Sequence, residues 1–451
     1  MSEPHEFADL TAAEAAEAAA QLVDPNAVVG GPAFEASTAA RTWALFLGLG
    51  LVMVGNGLQG AVLGLRSASE GFGVGVTGLI MTSYFAGFLV GSRYAEHALR
   101  SVGHIRTFAA LASTASSTAL VHVIFVEPFT WAVMRFVFGL CMAGLYVVIE
   151  SWLNDLGTNA TRGRLLAIYM VVTMAGISIG QLLLNVADAS KFTLFALASV
   201  LVSLSLVPIT LSAASTPPVF GSESMPLRTL LKIVPTGLTC SFLAGVGLGA
   251  LIGLSAVFAA TTDMSPARIS MFLSAPMIGA VVFQWPIGLA SDRLPRRGVI
   301  AVTAAGAAAF GLALTAVEAE SWAAIGLMFV LGGAAFPLYS LAIALTIDWV
   351  EPTQIVGSTA VLVRVNAAGA IVGPLATAGL MAIQPRLFFV MQVAPYLLIL
   401  VYVLYRIVVK EAVPVDDQST FQPFPARASA AAARLLHRSR SATGDQGNAN
   451  Q

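Results

Sequence analysis

Apolar residues run for roughly twenty positions at a time along this chain, twelve times over, with short polar breaks between them. A run of that length crosses the hydrocarbon core of a bilayer as a single α-helix. The pattern predicts spans over 41–65, 76–98, 104–125, 129–152, 163–187, 191–213, 232–260, 266–290, 298–317, 321–347, 353–382 and 386–409. Pro374, inside the eleventh, predicts a kink or tilt there. The longest gap divides the spans six and six. The domain reading is therefore a mobile cytoplasmic tail over 1–40, a six-helix bundle over 41–213 and a cytoplasmic linker over 214–231. A second six-helix bundle follows over 232–410, then a cytoplasmic tail over 411–451. The basic, amphipathic Ala428–Arg440 portion of that tail either rests on anionic headgroups or is disordered.

One predicted span is unlike the others. Phe129–Trp152 holds Arg135 well inside its apolar run and Glu150 near its far end. A charge at membrane depth costs roughly 2.5–3.5 kcal/mol on insertion scales, so it usually faces a bundle interior or a watery cavity. At about 100° per residue, Arg135, Met142, Tyr146 and Glu150 share one narrow face. Gly139, Ala143 and Gly144 lie around it, where a neighbouring helix can approach closely. The competing reading is a snorkelling arginine and an interfacial glutamate.

Composition supports the membrane class. Of 451 residues 57% are hydrophobic and only 10% charged, against about a quarter charged in soluble domains, and mean hydropathy is +0.82. The net charge of −1 is uninformative, and no basic domain suggests nucleic-acid binding. Cys141 and Cys240 both fall in apolar runs and read as small core residues, not as a disulfide or a metal site. The acidic N-terminus lacks the basic region of a cleavable signal, so the first span serves as an uncleaved anchor. With both termini in the cytoplasm, inside segments hold most of the Lys and Arg, including Arg93, Arg100, Arg106, Arg162, Arg164, Arg293, Arg296 and Arg297. The outside loops hold Arg66, Lys191, Arg268 and Arg386, which fits the positive-inside rule. The inside loop around Asp348 and Glu351 has neither Lys nor Arg.

Two pairs of segments repeat at nearly one offset. Gly91–Arg100 after the second span matches Gly288–Arg297 after the eighth, and Gly176-x-x-x-Gly180 in the fifth matches Gly369-x-x-x-Gly373-Pro374 in the eleventh. This is the signature of a transporter built from two parallel repeats that rock around a central site. On these residues the chain resembles the major facilitator superfamily. Gly288-x-x-x-Asp292-Arg293-x-x-Arg296-Arg297 is similar to the motif that family carries between spans two and three and between eight and nine. Arg135-x-x-x-Gly139 is similar to its fourth-span motif, and Gly369, Gly373 and Pro374 to its fifth-span glycine motif; span five has Gln181 where the proline would be. Gly87–Arg106 and Gly144–Arg164 are closer still to its YcaD-like branch. The resemblance covers about 41–410. It implies an all-α integral membrane fold of 12 transmembrane helices in two six-helix pseudo-symmetric halves.

The resemblance also implies which residues gate. Gly288, Asp292, Arg293, Arg296, Arg297, Gly369, Gly373 and Pro374 take that role, with Glu150 meeting Arg162 or Arg164. The first half departs from the pattern: Ala95 occupies the usual aspartate position, with Glu96 beside it, which puts a first-half latch in doubt. For Arg293, Arg296 and Arg297 the competing reading is simple positive-inside anchoring.

Polar residues within spans are the substrate-binding candidates: Arg135, Arg364, Asn56, Gln59, Tyr146, Gln181, Gln284 and Tyr339. For the amides the competing role is helix-to-helix hydrogen bonding. Asn56 and Gln59 share a face, as do Ser178, Gln181 and Asn185, whereas Asn366 points about 200° away from Arg364. Two arginines, one per half, suit an anionic or carboxylate-bearing solute. Arg135 and Glu150 are about 22 Å apart along one helix and do not pair. Both Glu150 and Asp348 lie near span ends, so no well-buried carboxylate is expected to carry a coupling proton. A lone His122 is more simply packed than titrating. Gly71–Gly75 and Gly245–Gly249 lack the Gly-Lys-Ser/Thr of a nucleotide loop, and no catalytic or metal constellation appears. The expected function is thus a monomeric secondary active transporter, not an enzyme and without cofactors. It moves a small solute by alternating access, with or without a coupling proton or ion, across a bacterial cytoplasmic (inner) membrane. The alternative is a non-transporting receptor or assembly factor of the same fold.

Overall fold

A computed structural model of the chain describes residues 32–157, 161–211, 225–409 and 413–424, together with Ala432 and Leu436. The chain up to Trp43 forms one unit, helical over its described residues, and Ala44–Gln451 forms a second. Among the described residues twelve helices are long and apolar enough to cross a membrane. In the first half these are α1 (Thr42–Ser69), α2 (Val74–Ala95), α3 (His104–Ile124), α4 (Pro128–Leu156), α5 (Gly163–Asn185) and α6 (Thr193–Leu211). In the second they are α7 (Pro235–Ala259), α8 (Pro266–Arg293), α9 (Arg296–Thr315), α10 (Trp322–Ile347), α11 (Pro352–Ile383) and α12 (Pro385–Val409). The predicted spans match these to within a few residues.

Local chemistry sets the helix ends. The Glu127 carboxylate accepts the amides of Phe129 at 3.0 Å and Thr130 at 2.8 Å and so caps α4. Those donors hold its carboxyl below the usual range. Ser265 and Ser321 cap α8 and α10 in the same way. Between α2 and α3 the chain turns at Gly103, whose φ of 90° favours glycine. Pro374 sits inside an unbroken helix, its ring packed against Gly253.

The two halves repeat one packing plan. In the first, α2 lies along α4, Gly87 and Gly91 opposing the backbone of Phe136 and Leu140. In the second, α8 lies along α10, Gly279 opposing Phe329 and Gly332 opposing Pro276. The repeated glycine pair does the same work twice. A methyl group at Gly180 of α5 would stand 2.7 Å from the Leu58 amide nitrogen on α1, and one at Gly373 of α11 would stand 2.9 Å from that of Ala250 on α7. Both helix pairs therefore touch backbone to backbone, a contact that packing in lipid favours.

The halves join along α2–α11 and α5–α8. Their named contacts cluster at the end away from the interbundle linker. Gly78 meets Ala378, Gly253 meets Phe85, and Gly64 meets Ala256. Asn185 of α5 donates to the Ser270 hydroxyl of α8 at 2.8 Å. Exposed Val302, Leu312, Leu398 and Val401 give α9 and α12 an apolar outer face suited to lipid.

One segment departs from its sequence-based placement. The chain beyond α12 reads as a polar tail outside the bundle, yet Val413–Phe424 turns back into it, and Phe424 is 1% exposed. Its composition hid this, since the segment has no helical or strand periodicity. The predicted amphipathic piece Ala428–Arg440 lies outside the described residues except for Ala432 and Leu436, which are both buried. Residues 1–31 also lie outside them.

Candidate functional site

On the second-half side, α8 and α10 bring Gln284, Tyr339 and Ser340 together. Gln284 donates to the Ser340 hydroxyl at 3.0 Å, leaving its own carbonyl oxygen without a partner. Tyr339 is buried and meets the Phe424 ring edge-on, 6.0 Å between centroids. Two of the sequence-predicted solute contacts, Gln284 and Tyr339, thus lie on either side of the Ser340–Phe424 contact. Towards the linker, Ala167 and Met170 of α5 and Trp285 and Asp292 of α8 line a cavity of about 290 Å³, with Phe421 and Pro423 on its wall.

On the first-half side, Tyr146 reaches Met53 of α1 at 3.1 Å and packs edge-on against Phe88 and Tyr169. Asn56 and Gln59 on α1 are buried, and the amide nitrogen of each lacks a hydrogen-bond partner. The same holds for the Gln181 carbonyl oxygen and the Ser178 hydroxyl on α5. No hydrogen bond between helices reaches these particular atoms, whereas Asn185 does bond across helices. Buried polar atoms of this kind usually have a protein or water partner.

Glu150 corrects the sequence reading. It was expected near a helix end, short of deep burial, but it is 0% exposed. Helix α4 continues to Leu156, and Tyr169 of α5 covers the carboxylate, donating to it at 2.6 Å. Glu150 also lies within electrostatic reach of Tyr339 in the other half. Asp348 is likewise buried. The expectation that no carboxylate is well buried is overturned at both positions. Of the expected Glu150 partners, Arg164 is exposed, and the Arg162 side chain lies outside the described residues.

The two arginines occupy different surroundings. Arg135 is 7% exposed, and its guanidinium lies 4.7 Å from the Tyr84 ring centroid and 5.6 Å from that of Phe138. It is buried in an aromatic setting, and the snorkelling reading fails. Arg364 is exposed, while Asn366 on the other side of α11 is buried and donates to the Ser241 carbonyl at 3.0 Å. Arg135 lies near the start of α4 (Pro128–Leu156), the end away from the linker, and Arg364 lies in the first half of α11 (Pro352–Ile383), nearer the linker side. His122 is packed between Trp131 and Phe195. Cys141 and Cys240 are buried and free.

Comparison with known proteins agrees with this architecture. The Major Facilitator Superfamily profile matches residues 237–442. The MFS-type transporter YcaD of Escherichia coli (strain UMN026) is 28% identical over 360 residues, covering 79% of this chain and 93% of YcaD. YcaD of Escherichia coli strain K12 (DH10B) is also 28% identical, over 77% of this chain and 91% of that relative. Among solved structures, the nucleoside transporter NupG superposes with a TM-score of 0.64 at 12% identity, covering 81% of this chain and 100% of NupG. The human organic anion transporter MFSD10 does so with a TM-score of 0.55 at 14% identity, over 81% of this chain and 99% of that one. This chain is thus similar to the major facilitator superfamily in sequence over its second half and in fold over most of its length.

The motif after α8 builds a buried ion pair. Arg296 is 1% exposed and pairs with Asp348 at the end of α10 at 2.8 Å. It also donates to the Ser291 hydroxyl at 3.1 Å and the Ser419 carbonyl at 2.5 Å. Asp292 stands 4.0 Å from Arg296 and accepts the Phe421 amide at 2.6 Å. Arg297 is buried, donates to the Arg406 carbonyl at 3.2 Å and stacks over Trp349. Mere positive-inside anchoring therefore does not describe Arg296 or Arg297, whereas Arg293 is exposed. Gly288 is buried against the Phe421 ring. In the first half Ala95 is buried, the Glu96 side chain lies outside the described residues, and His104 meets Ser151 at 3.0 Å. Sequence reasoning missed Tyr169, Ser340, Ser419 and Phe424 as site residues. Only Tyr169 left a signal, as a phenol in the span that packs beside Glu150.

Proposed function

We propose that this protein is a secondary active transporter that moves a small solute by alternating access. The observation that carries this reading is the asymmetry between its two ends. Asn185–Ser270 and the glycine contacts join the halves away from the linker, while towards the linker a cavity separates α5 from α8. A pair of pseudo-symmetric halves closed at one end and parted at the other is one state of a rocking pair.

Glu150 is the proposed coupling group. It is a protonatable side chain, buried at the face between the halves and hydrogen-bonded by Tyr169. Arg364, being exposed, is the arginine proposed to meet an anionic group on the solute. Arg135 is proposed to brace α1, α2 and α4. We further infer a monomer in a bacterial cytoplasmic membrane with both termini cytoplasmic, the bundles dividing at 214–231.

The test is flux into proteoliposomes with and without a pH gradient. The panel holds anions, amphiphiles and nucleosides, since NupG carries nucleosides and MFSD10 organic anions by their names. Uptake of one class, accelerated by the gradient and lost in Glu150→Gln, is expected. No uptake across the panel, with specific capture of a partner protein instead, would overturn the reading in favour of a receptor.

A further inference from the structure

The polar groups of Ser340 and the ring of Tyr339, beside Gln284, are engaged by a later segment of the chain itself. The Ser340 hydroxyl donates to the Phe424 carbonyl at 2.9 Å and accepts the Phe424 amide at 3.1 Å. The ring of Phe424 turns its edge to Tyr339. Five residues earlier, Ser419 is anchored through its amide at 2.9 Å and its hydroxyl at 2.6 Å, both donated to Asp348. Its carbonyl accepts from Arg296. Between these anchors the Phe421 amide bonds Asp292, and the ring covers Gly288. Leu436 lies beside Ser419, Thr420 and Gln422 over Ile343 and Ile347. The ion pair Arg296–Asp348 thus does two jobs, joining α9 to α10 and clamping this segment.

We propose that Ser419–Phe424 is an internal ligand of the transport site, seated where solute binds and displaced before solute enters. This rests on the transport reading above, since it assigns the occupant of the same cavity. Two consequences follow from the geometry. The segment walls one side of the linker-side cavity, and the place at Ser340 takes an aromatic ring flanked by an amide donor and acceptor. A charged headgroup would leave the Tyr339 face and the Ser340 hydrogen bonds unused.

The experiment uses the full chain with Cys141→Ala and Cys240→Ala, and Ile343→Cys as reporter beneath the segment. Alkylation by N-ethylmaleimide is expected to be slow, and at least tenfold faster with Ser419→Pro, which removes both Ser419 donors, or with Phe424→Ala. N-acetylphenylalaninamide is expected to slow labelling in those two variants and not in the parent. Equal labelling in all three chains would overturn the occlusion. Faster labelling without protection by the probe would overturn the ligand class. A second measurement leaves the anchors unaltered: Ile347→Cys with Thr420→Cys is expected to cross-link under mild oxidation, and no cross-link would overturn the placement. None of these readouts requires flux. A chain that shows the labelling switch but no uptake would therefore sink the transport reading while keeping the internal ligand.

Discussion

Arg296 and Asp348 form an ion pair at 2.8 Å with both side chains 1% exposed. Taking either partner away strands the other charge in the interior, which costs roughly 3–5 kcal/mol. Arg296→Met and Asp348→Leu alone are each expected to lower the Tm of the purified protein sharply. The double variant, which leaves no buried charge behind, is expected to recover part of the loss. A double variant as unstable as the sum of the singles would show that the two charges act independently.

The glycine pairs make a steric prediction. Gly180 and Gly373 press on the backbones of the partner helices, so a valine at either forces the helices apart. Overpacking of this kind costs about 1–3 kcal/mol. Gly180→Val and Gly373→Val are expected to give similar drops in Tm, because the two sites are equivalent in the repeat. Gly379→Val, where added atoms meet open space, is the control and is expected to leave Tm unchanged. A large loss at Gly379 alone would contradict the packing plan.

These glycines show what a sequence reader can see. Spacing and repetition marked Gly176/Gly180 and Gly369/Gly373, and unbroken apolar length marked all twelve spans, because both are local properties of the chain. Burial of Glu150 was not local. Its depth depends on α4 continuing past Trp152 and on Tyr169 folding over it, which no property of residues 129–152 announces. Val413–Phe424 was invisible for a stronger reason. A polar, proline-containing stretch binds through its backbone amides and two phenylalanine rings, and backbone donors carry no sequence signature.

The arginines separate stability from transport. Exposed Arg364 has little packing to lose, so Arg364→Ala is expected to stay within about 0.5 kcal/mol of the parent in stability while reducing flux of an anionic solute. Arg135→Ala removes two cation–π contacts worth about 0.5–2 kcal/mol and is expected to lower Tm as well. Thermal unfolding and flux measured on the same preparations check both. Full flux in Arg364→Ala would remove it from the solute path.

Asn185 and Ser270 offer a handle on the conformational equilibrium itself. The Ser270 hydroxyl donates to the Ala267 carbonyl within its own helix, so it is free to accept from Asn185 across the halves. Breaking that bond costs the closed far end about 0.5–1.5 kcal/mol, which shifts a two-state equilibrium roughly 2- to 13-fold. With Ala256→Cys as reporter beside Gly64, at the far-end contact of α1 and α7, Asn185→Ala is expected to raise labelling by a membrane-impermeant thiol reagent by that factor. Ser270→Ala is expected to do the same. The double variant should gain nothing further, because a single hydrogen bond is lost in each case. Unchanged labelling in both single variants would mean that the steric contacts alone hold the far end shut, and additive gains in the double would mean that the two side chains act through separate partners.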